Sequence, residues 1–183
     1  VTGKVFDAVI IAIGELMRLR IIFLFVMGFV SIQAGESCPF CDDHVLEKQM
    51  FYEGDKVIAL VNLLPLLEGH CLVIPKRHVE RLEGLENSEV QEIHDTIGKV
   101  GRVFKEAFGT SDYLLYVQNG SKAGQIVPHT HYHMVPRTEK RIWTKISLLG
   151  KVLQIFTVGR KPLNDDEIKR AVDTMKKAMA DVQ

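Results

Sequence analysis

Apolar and polar positions alternate along most of this chain, but not along its first 34 residues, where positions 21–30 are apolar throughout. Ten residues is half of the roughly 20 that span a bilayer, so this run cannot cross one alone. Read from Met17, with Arg18 and Arg20 before the run and Ser31 to Ala34 after it, the segment has the charged, apolar and small-residue parts of a secretory signal. The competing reading is a buried or amphipathic N-terminal helix continuing from residues 8–13. Residues 1–34 are therefore expected to be a separate apolar segment, whether signal, anchor or over-extended start, with membrane contact expected only through 17–34. Residues 35–183 are expected to form a single domain, because no repeat or low-complexity linker interrupts 38–183.

Within that domain the periods change in order. Residues 49–52 and 56–61 around Glu53-Gly54-Asp55 read as a hairpin, and 71–74, closed by Pro75, as a third strand. Ser88 with Gln91 three residues on reads as a capping box, after which Val90, Ile93, Ile97, Val100, Phe104 and Phe108 recur at helical spacing up to Gly109. Residues 113–117 and 128–135 read as two further strands on either side of the loop 119–124. A last helix over 164–182 opens at Asn164, has Glu167 at its third position, and carries Ile168, Val172, Met175, Met179 and Val182 as its packing stripe. The pattern predicts an α+β fold: a five-stranded antiparallel sheet with one long helix and a C-terminal helix.

Charge narrows the choice of partner. The 183 residues hold 23 Lys+Arg against 23 Asp+Glu, with a sequence pI of about 7.2, so no global field draws the chain to nucleic acid. Local recognition of a phosphate stays open. Three cysteines are too few for a secreted disulfide framework. Cys38 and Cys41, spaced C-x-x-C, suggest a metal or a redox pair, while Cys71 reads as a small buried residue. His44 and His94 lie beside acidic residues and are assigned no role.

His129, His131 and His133 are the most informative residues in the chain. On a strand their rings would share one face at about 7 Å spacing, with Thr130, Tyr132 and Met134 on the other. Two chemistries fit such a row. A neutral central imidazole can attack phosphorus and form a labile phosphoramidate, or three rings can hold a catalytic metal. The sequence has no obvious carboxylate beside the triple, and a glycine-rich loop precedes it. Backbone N–H groups around Gly120 and Gly124, with the amides of Gln118 and Gln125, would cradle a phosphate without adding charge, which favours phosphate chemistry.

Residues 119–137, together with 59–62, Gly69-His70, 72–76 and 79–81, resemble the histidine triad family of nucleotide hydrolases and transferases, most closely its fragile histidine triad branch. The resemblance covers about residues 38–137. It implies a homodimer acting on a purine nucleotide, with nucleotidyl transfer at an α-phosphate. It makes His131 the nucleophile, with His133 and His70 on the phosphate oxygens. Gln118, Gln125 and Gly124 belong to its phosphate loop, Asn62 matches its ribose contact, and the base would lie near residues 58–60. Two positions depart from the motif: Thr130 replaces an aliphatic residue, and Ile126 replaces a Ser or Thr that donates to phosphate. The fragile branch lacks the cysteine pair. Zinc-bearing bacterial members, and the related galactose-1-phosphate uridylyltransferases, match Cys38, Cys41, His78 and His129, which implies a closed structural zinc site. The function so implied is hydrolysis of dinucleoside polyphosphates or related conjugates through a nucleotidyl-histidine. A nucleoside phosphoramidate hydrolase and a nucleotide-binding sensor with little turnover are the alternatives. The family favours the cytoplasm, whereas a working signal at 17–34 would export or anchor the chain.

Overall fold

A computed structural model describes residues 38–138 and 161–182; the segment 1–34 lies outside the described residues. Strands β1 (Met50–Glu53), β2 (Val57–Val61), β3 (Cys71–Pro75), β4 (Tyr113–Val117) and β5 (Tyr132–Pro136) form one sheet in the order β1-β2-β3-β5-β4, with every neighbouring pair antiparallel. Helices α1 (Asp43–Gln49), α2 (Asn87–Phe108) and α3 (Asp165–Asp181) complete the described elements, with short 3-10 turns at Pro39–Cys41, Leu82–Gly84 and Ser121–Ala123. Among the described residues no helix is long and apolar enough to cross a membrane.

β2 and β3 are buried at every position because both faces of the sheet are covered. Alternate residues divide between two cores. Val57, Ala59, Val61, Cys71, Val73 and Met134 pack with Ile93, Ile97, Val100, Val103 and Phe104 of α2 and with Ile168, Val172, Met175 and Met179 of α3. On the opposite face Ile58, Leu60, Leu72 and Ile74 pack around Phe40. Because Met134 faces the helices, His133 faces the second core, and this alternation puts the chemistry on the side away from α2 and α3.

The long helix starts differently from its predicted cap. Glu86, not Ser88, is the N-cap, and Glu89 rather than Gln91 reaches back, accepting from the Glu86 N–H at 2.8 Å. The same carboxylate accepts from Arg77 Nε at 3.0 Å and Nη2 at 2.7 Å, so one buried acid joins the helix start to the segment after β3. Gln91 instead donates to Asp95, and Val90, placed on the packing stripe by periodicity, is exposed. Arg77 holds the Glu89 carboxyl below the usual carboxylate range. The folded-state value thus lies under the unfolded one, near 4.3. Its contribution is complete above the unfolded value and is lost as pH falls through the folded one. Glu89→Gln should cost about 1–3 kcal/mol at pH 7. Denaturant unfolding at pH 7 and pH 3 should show that cost shrinking in acid.

β5 also differs from expectation. The predicted strand over 128–135 begins only at Tyr132, so His129 and His131 precede the ladder. The Thr130 N–H donates to the Val79 carbonyl at 2.6 Å and the His129 N–H to the Val127 carbonyl at 2.8 Å, which turns this entry against the β3–α2 connection. The three rings therefore do not stand in one row.

Candidate active site and metal centre

His70 closes the β2–β3 turn. Gly69 before it has φ +80°, and a Cβ there would strike the Phe108 ring at 2.6 Å, so glycine alone fits. The Leu66 N–H donates to His70 Nδ1 at 3.0 Å. A neutral His70 ring thus carries its proton on Nε2, which donates to His133 Nδ1 at 3.0 Å and leaves the His133 proton on Nε2. His133 is stacked on Tyr116, its cross-strand partner on β4, with centroids 4.4 Å apart and planes 10° apart.

His131 sits edge-on to His133, with centroids 4.9 Å apart, and is 5% exposed. Its Nδ1 lies 2.7 Å from the His129 carbonyl oxygen. A carbonyl only accepts, so Nδ1 holds the proton and Nε2 keeps a free lone pair. Burial pushes the ring below the ordinary histidine range, against the opposite pull of that carbonyl. In this tautomer the unprotonated nitrogen of His131 is Nε2.

The glycine-rich loop is tied up by its own amides. Gln125 accepts from the Gly120 N–H at 2.6 Å and donates to the Glu80 carbonyl at 2.8 Å, and Gln118 donates to the Ala123 carbonyl at 3.0 Å. Gly124 has φ +88°, and a Cβ there would collide with the Gln118 amide. Asn119, to which sequence reasoning gave no role, accepts from the Leu82 N–H and donates to Glu83, whose carboxyl is pushed down to about 2 chiefly by that hydrogen bond. Asn62, matched to a ribose contact, is buried; its Oδ1 accepts from the Leu64 N–H, and its Nδ2 lies 3.1 Å from His70 Nε2. Ile126 is 83% exposed. Thr130 is buried, and its hydroxyl has no hydrogen-bond partner among the described residues.

His129 belongs to a second cluster. Its Nε2 donates to the Pro75 carbonyl at 2.9 Å, so its Nδ1 lone pair faces Cys38 Sγ at 3.5 Å and Cys41 Sγ at 3.6 Å. His78 Nδ1 lies 3.5 Å from Cys41 Sγ, and one donor atom from each of the four residues falls within 4.8 Å of the others. Two ligands at zinc bond lengths of about 2.3 Å (S) and 2.05 Å (N), at a tetrahedral angle, stand about 3.6 Å apart, so the spacing fits that ion. Burial and the neighbouring Cys38 push the Cys41 thiol up to about 11, a penalty that a cation between the sulfurs would reverse. The Pro75 carbonyl supplies the outer hydrogen bond that orients such a ligand. Among the described residues the cluster brings together two thiols and two imidazoles, four donors that could hold a metal ion.

The sheet with its helices, and histidines converging at the β3–β5 seam, define a class that comparison identifies. The HIT domain family matches residues 43–140, and the chain belongs to this family. It is 44% identical over 127 residues to the asymmetrical bis(5'-nucleosyl)-tetraphosphatase of Schizosaccharomyces pombe, covering 65% of this chain and 69% of that one. It is 40% identical over 90 residues to a bifunctional bis(5'-adenosyl)-triphosphatase/adenylylsulfatase of Arabidopsis thaliana, covering 49% of this chain and 50% of that one. A zinc-bound histidine triad family protein of Mycobacterium smegmatis shares the fold at TM-score 0.61 and 21% identity, over 79% of this chain and 94% of that one.

Proposed function

We propose that the chain hydrolyses dinucleoside polyphosphates, taking a purine nucleotide onto His131. The observation that carries this reading is the hydrogen bond from His131 Nδ1 to the His129 carbonyl, which leaves Nε2 as a free base inside a buried site. The Nε2 lone pair attacks the α-phosphorus and forms a P–N bond. The P–O bond to the remaining phosphate chain breaks, and the leaving nucleotide takes the electron pair. Water then attacks the same phosphorus, the P–N bond breaks, a nucleoside monophosphate leaves, and the water's proton passes to solvent. His133, with its proton on Nε2, donates to a phosphate oxygen and is held for that task by His70 on one side and Tyr116 on the other. The hydrolase names of the two relatives support the reading. Ranking kcat/KM on diadenosine triphosphate, diadenosine tetraphosphate and adenosine phosphoramidate tests it. A tetraphosphate or triphosphate preference of at least tenfold is expected, and a preference for the phosphoramidate would favour the alternative hydrolase.

Three further features belong to the same reading. Zinc on Cys38, Cys41, His78 and His129 would be structural and would supply a crosslink between the chain before β1 and the entry to β5. A homodimer is supported by β4, an edge strand on which Leu114 and Leu115 are exposed. Residues 1–34 would be dispensable for catalysis, since every residue named for the site lies beyond them. A chain beginning at Gly35 should therefore fold, dimerise and turn over nucleotide as the full chain does, while being more soluble; an insoluble or inactive product overturns that assignment. Fractionating cells that express the full chain tests whether 17–34 directs it to a membrane or out of the cytoplasm.

A further inference from the structure

Phe40 lies between the two cysteines, in the one-turn helix Pro39–Cys41 that the Cys41 N–H closes on the Cys38 carbonyl at 2.9 Å. Both thiols meet His129, while the ring between them enters the core of Ile58, Leu60, Leu72 and Ile74. That ring stands at a steep angle to two imidazoles: His129, with centroids 5.8 Å apart and planes at 78°, and His131, at 5.4 Å and 69°.

His131 is thus held at three points, one of them the edge contact with His133 and the other two on the side of the Cys/His cluster. Its Nδ1 donates to the backbone of His129, itself one of the four clustered donors, and its ring abuts Phe40, which two more of those donors flank. A single hydrogen bond does not fix an imidazole, because the terminal torsion of histidine is broad. The packed ring of Phe40 restricts that torsion. The hydrogen bond to His129 and the Phe40 contact are both carried by residues of the Cys/His cluster or their immediate neighbours, so packed atoms connect the cluster to His131 without a long path.

We propose that Phe40 is a positioning residue for His131, and that through it the occupancy of the Cys38, Cys41, His78 and His129 cluster sets the rate of nucleotidyl transfer. This rests on the reading of His131 as nucleophile. The rate is sensitive to such positioning because a misplacement of about 1 Å costs on the order of 100-fold.

The test uses the full chain, reconstituted with zinc sulfate, as wild type, Phe40→Leu and Phe40→Tyr. Leucine keeps an apolar side chain in the core, so the variant remains folded, but it removes the ring; tyrosine keeps the ring. Kinetics on diadenosine tetraphosphate are read together with zinc content and with the imidazole nitrogen resonances of histidine-labelled protein. Phe40→Leu should keep its zinc, hold KM within about threefold and lose roughly 10- to 100-fold in kcat, with the His131 Nδ1–H signal broadened. Phe40→Tyr should restore both. Chelating zinc from the wild type should reproduce the kinetic and spectral changes, while chelating it from Phe40→Leu should add less than about twofold in kcat. Wild-type kcat and an unmoved His131 resonance in Phe40→Leu would overturn the proposal, as would a chain that takes up no zinc, or a Phe40→Tyr variant as impaired as the leucine one. If the wild type turns over no nucleotide, the hydrolase reading fails separately. The resonances still decide the coupling, which requires chelation to shift His131 in the wild type and not in Phe40→Leu.

Discussion

Replacing His131 by Asn should reduce turnover of a dinucleoside polyphosphate on the order of 10⁴-fold while a non-hydrolysable nucleotide still binds. The size of the effect follows from the geometry. The neutral ring offers one lone pair, at Nε2, and it is available because Nδ1 donates to the His129 carbonyl at 2.7 Å. An asparagine amide can preserve a donor to that carbonyl and much of the side-chain volume, so the loss falls on bond formation to phosphorus and not on the shape of the site. His70 and His133 remain joined at 3.0 Å in the variant, and the loop built by Gln118 and Gln125 is untouched. Binding is therefore expected to survive. Rapid-quench measurement of the nucleotidyl-enzyme separates the steps: the wild type should accumulate or turn over a labile adduct, and His131→Asn should form none. Wild-type turnover in the variant would remove His131 from the nucleophile's place.

The residues of this site were legible because each carries chemistry in its side-chain type. Imidazoles at 129, 131 and 133 and thiols at 38 and 41 are uncommon enough that their spacing has meaning without coordinates. Short apolar runs bounded by turn residues mark the five strands in the sequence, and apolar positions at helical spacing mark two of the helices. Several features were not legible, for separate physical reasons. Helix α1 has only seven residues, too few for a periodic signal, and starts on an Asp42 side chain that accepts from the His44 and Val45 N–H groups. The start of α2 is a capping box built on Glu86 and Glu89, and glutamate is not among the usual N-cap residues, so Ser88 with Gln91 is the stronger signal in the sequence. Arg77, twelve positions before Glu89, adds a contact that no local rule reaches. The histidine row fails as a row because Thr130 bonds to Val79, a contact that belongs to the tertiary structure and not to the strand. Phe40 reads as one more core aromatic until its angle to His131 is known, and Tyr116 as an ordinary strand residue until it stacks on His133.

Cys38→Ser should remove the metal and lower the melting temperature by about 5–10 °C. The estimate starts from a ligand at about 100 times its dissociation constant, which stabilises the folded state by about 2.7 kcal/mol. For a domain of this size each kcal/mol moves the melting point by about 2–4 °C. The crosslink explains why the loss would be global: Cys38 and Cys41 precede β1, His78 follows β3 and His129 precedes β5, so an ion on all four closes loops that the sheet alone leaves to packing. Serine keeps the size of the thiol but is a poor zinc ligand, and His129 would keep its hydrogen bond to the Pro75 carbonyl, so local shape is preserved while the donor is lost. Elemental analysis of the wild type should find about one zinc per chain, and calorimetry in chelator should bring the wild type down to the melting point of Cys38→Ser without moving that variant further. A purified chain that holds no metal and melts unchanged in chelator would leave these four residues as a hydrogen-bonded cluster of thiols and imidazoles, and would sink the zinc assignment.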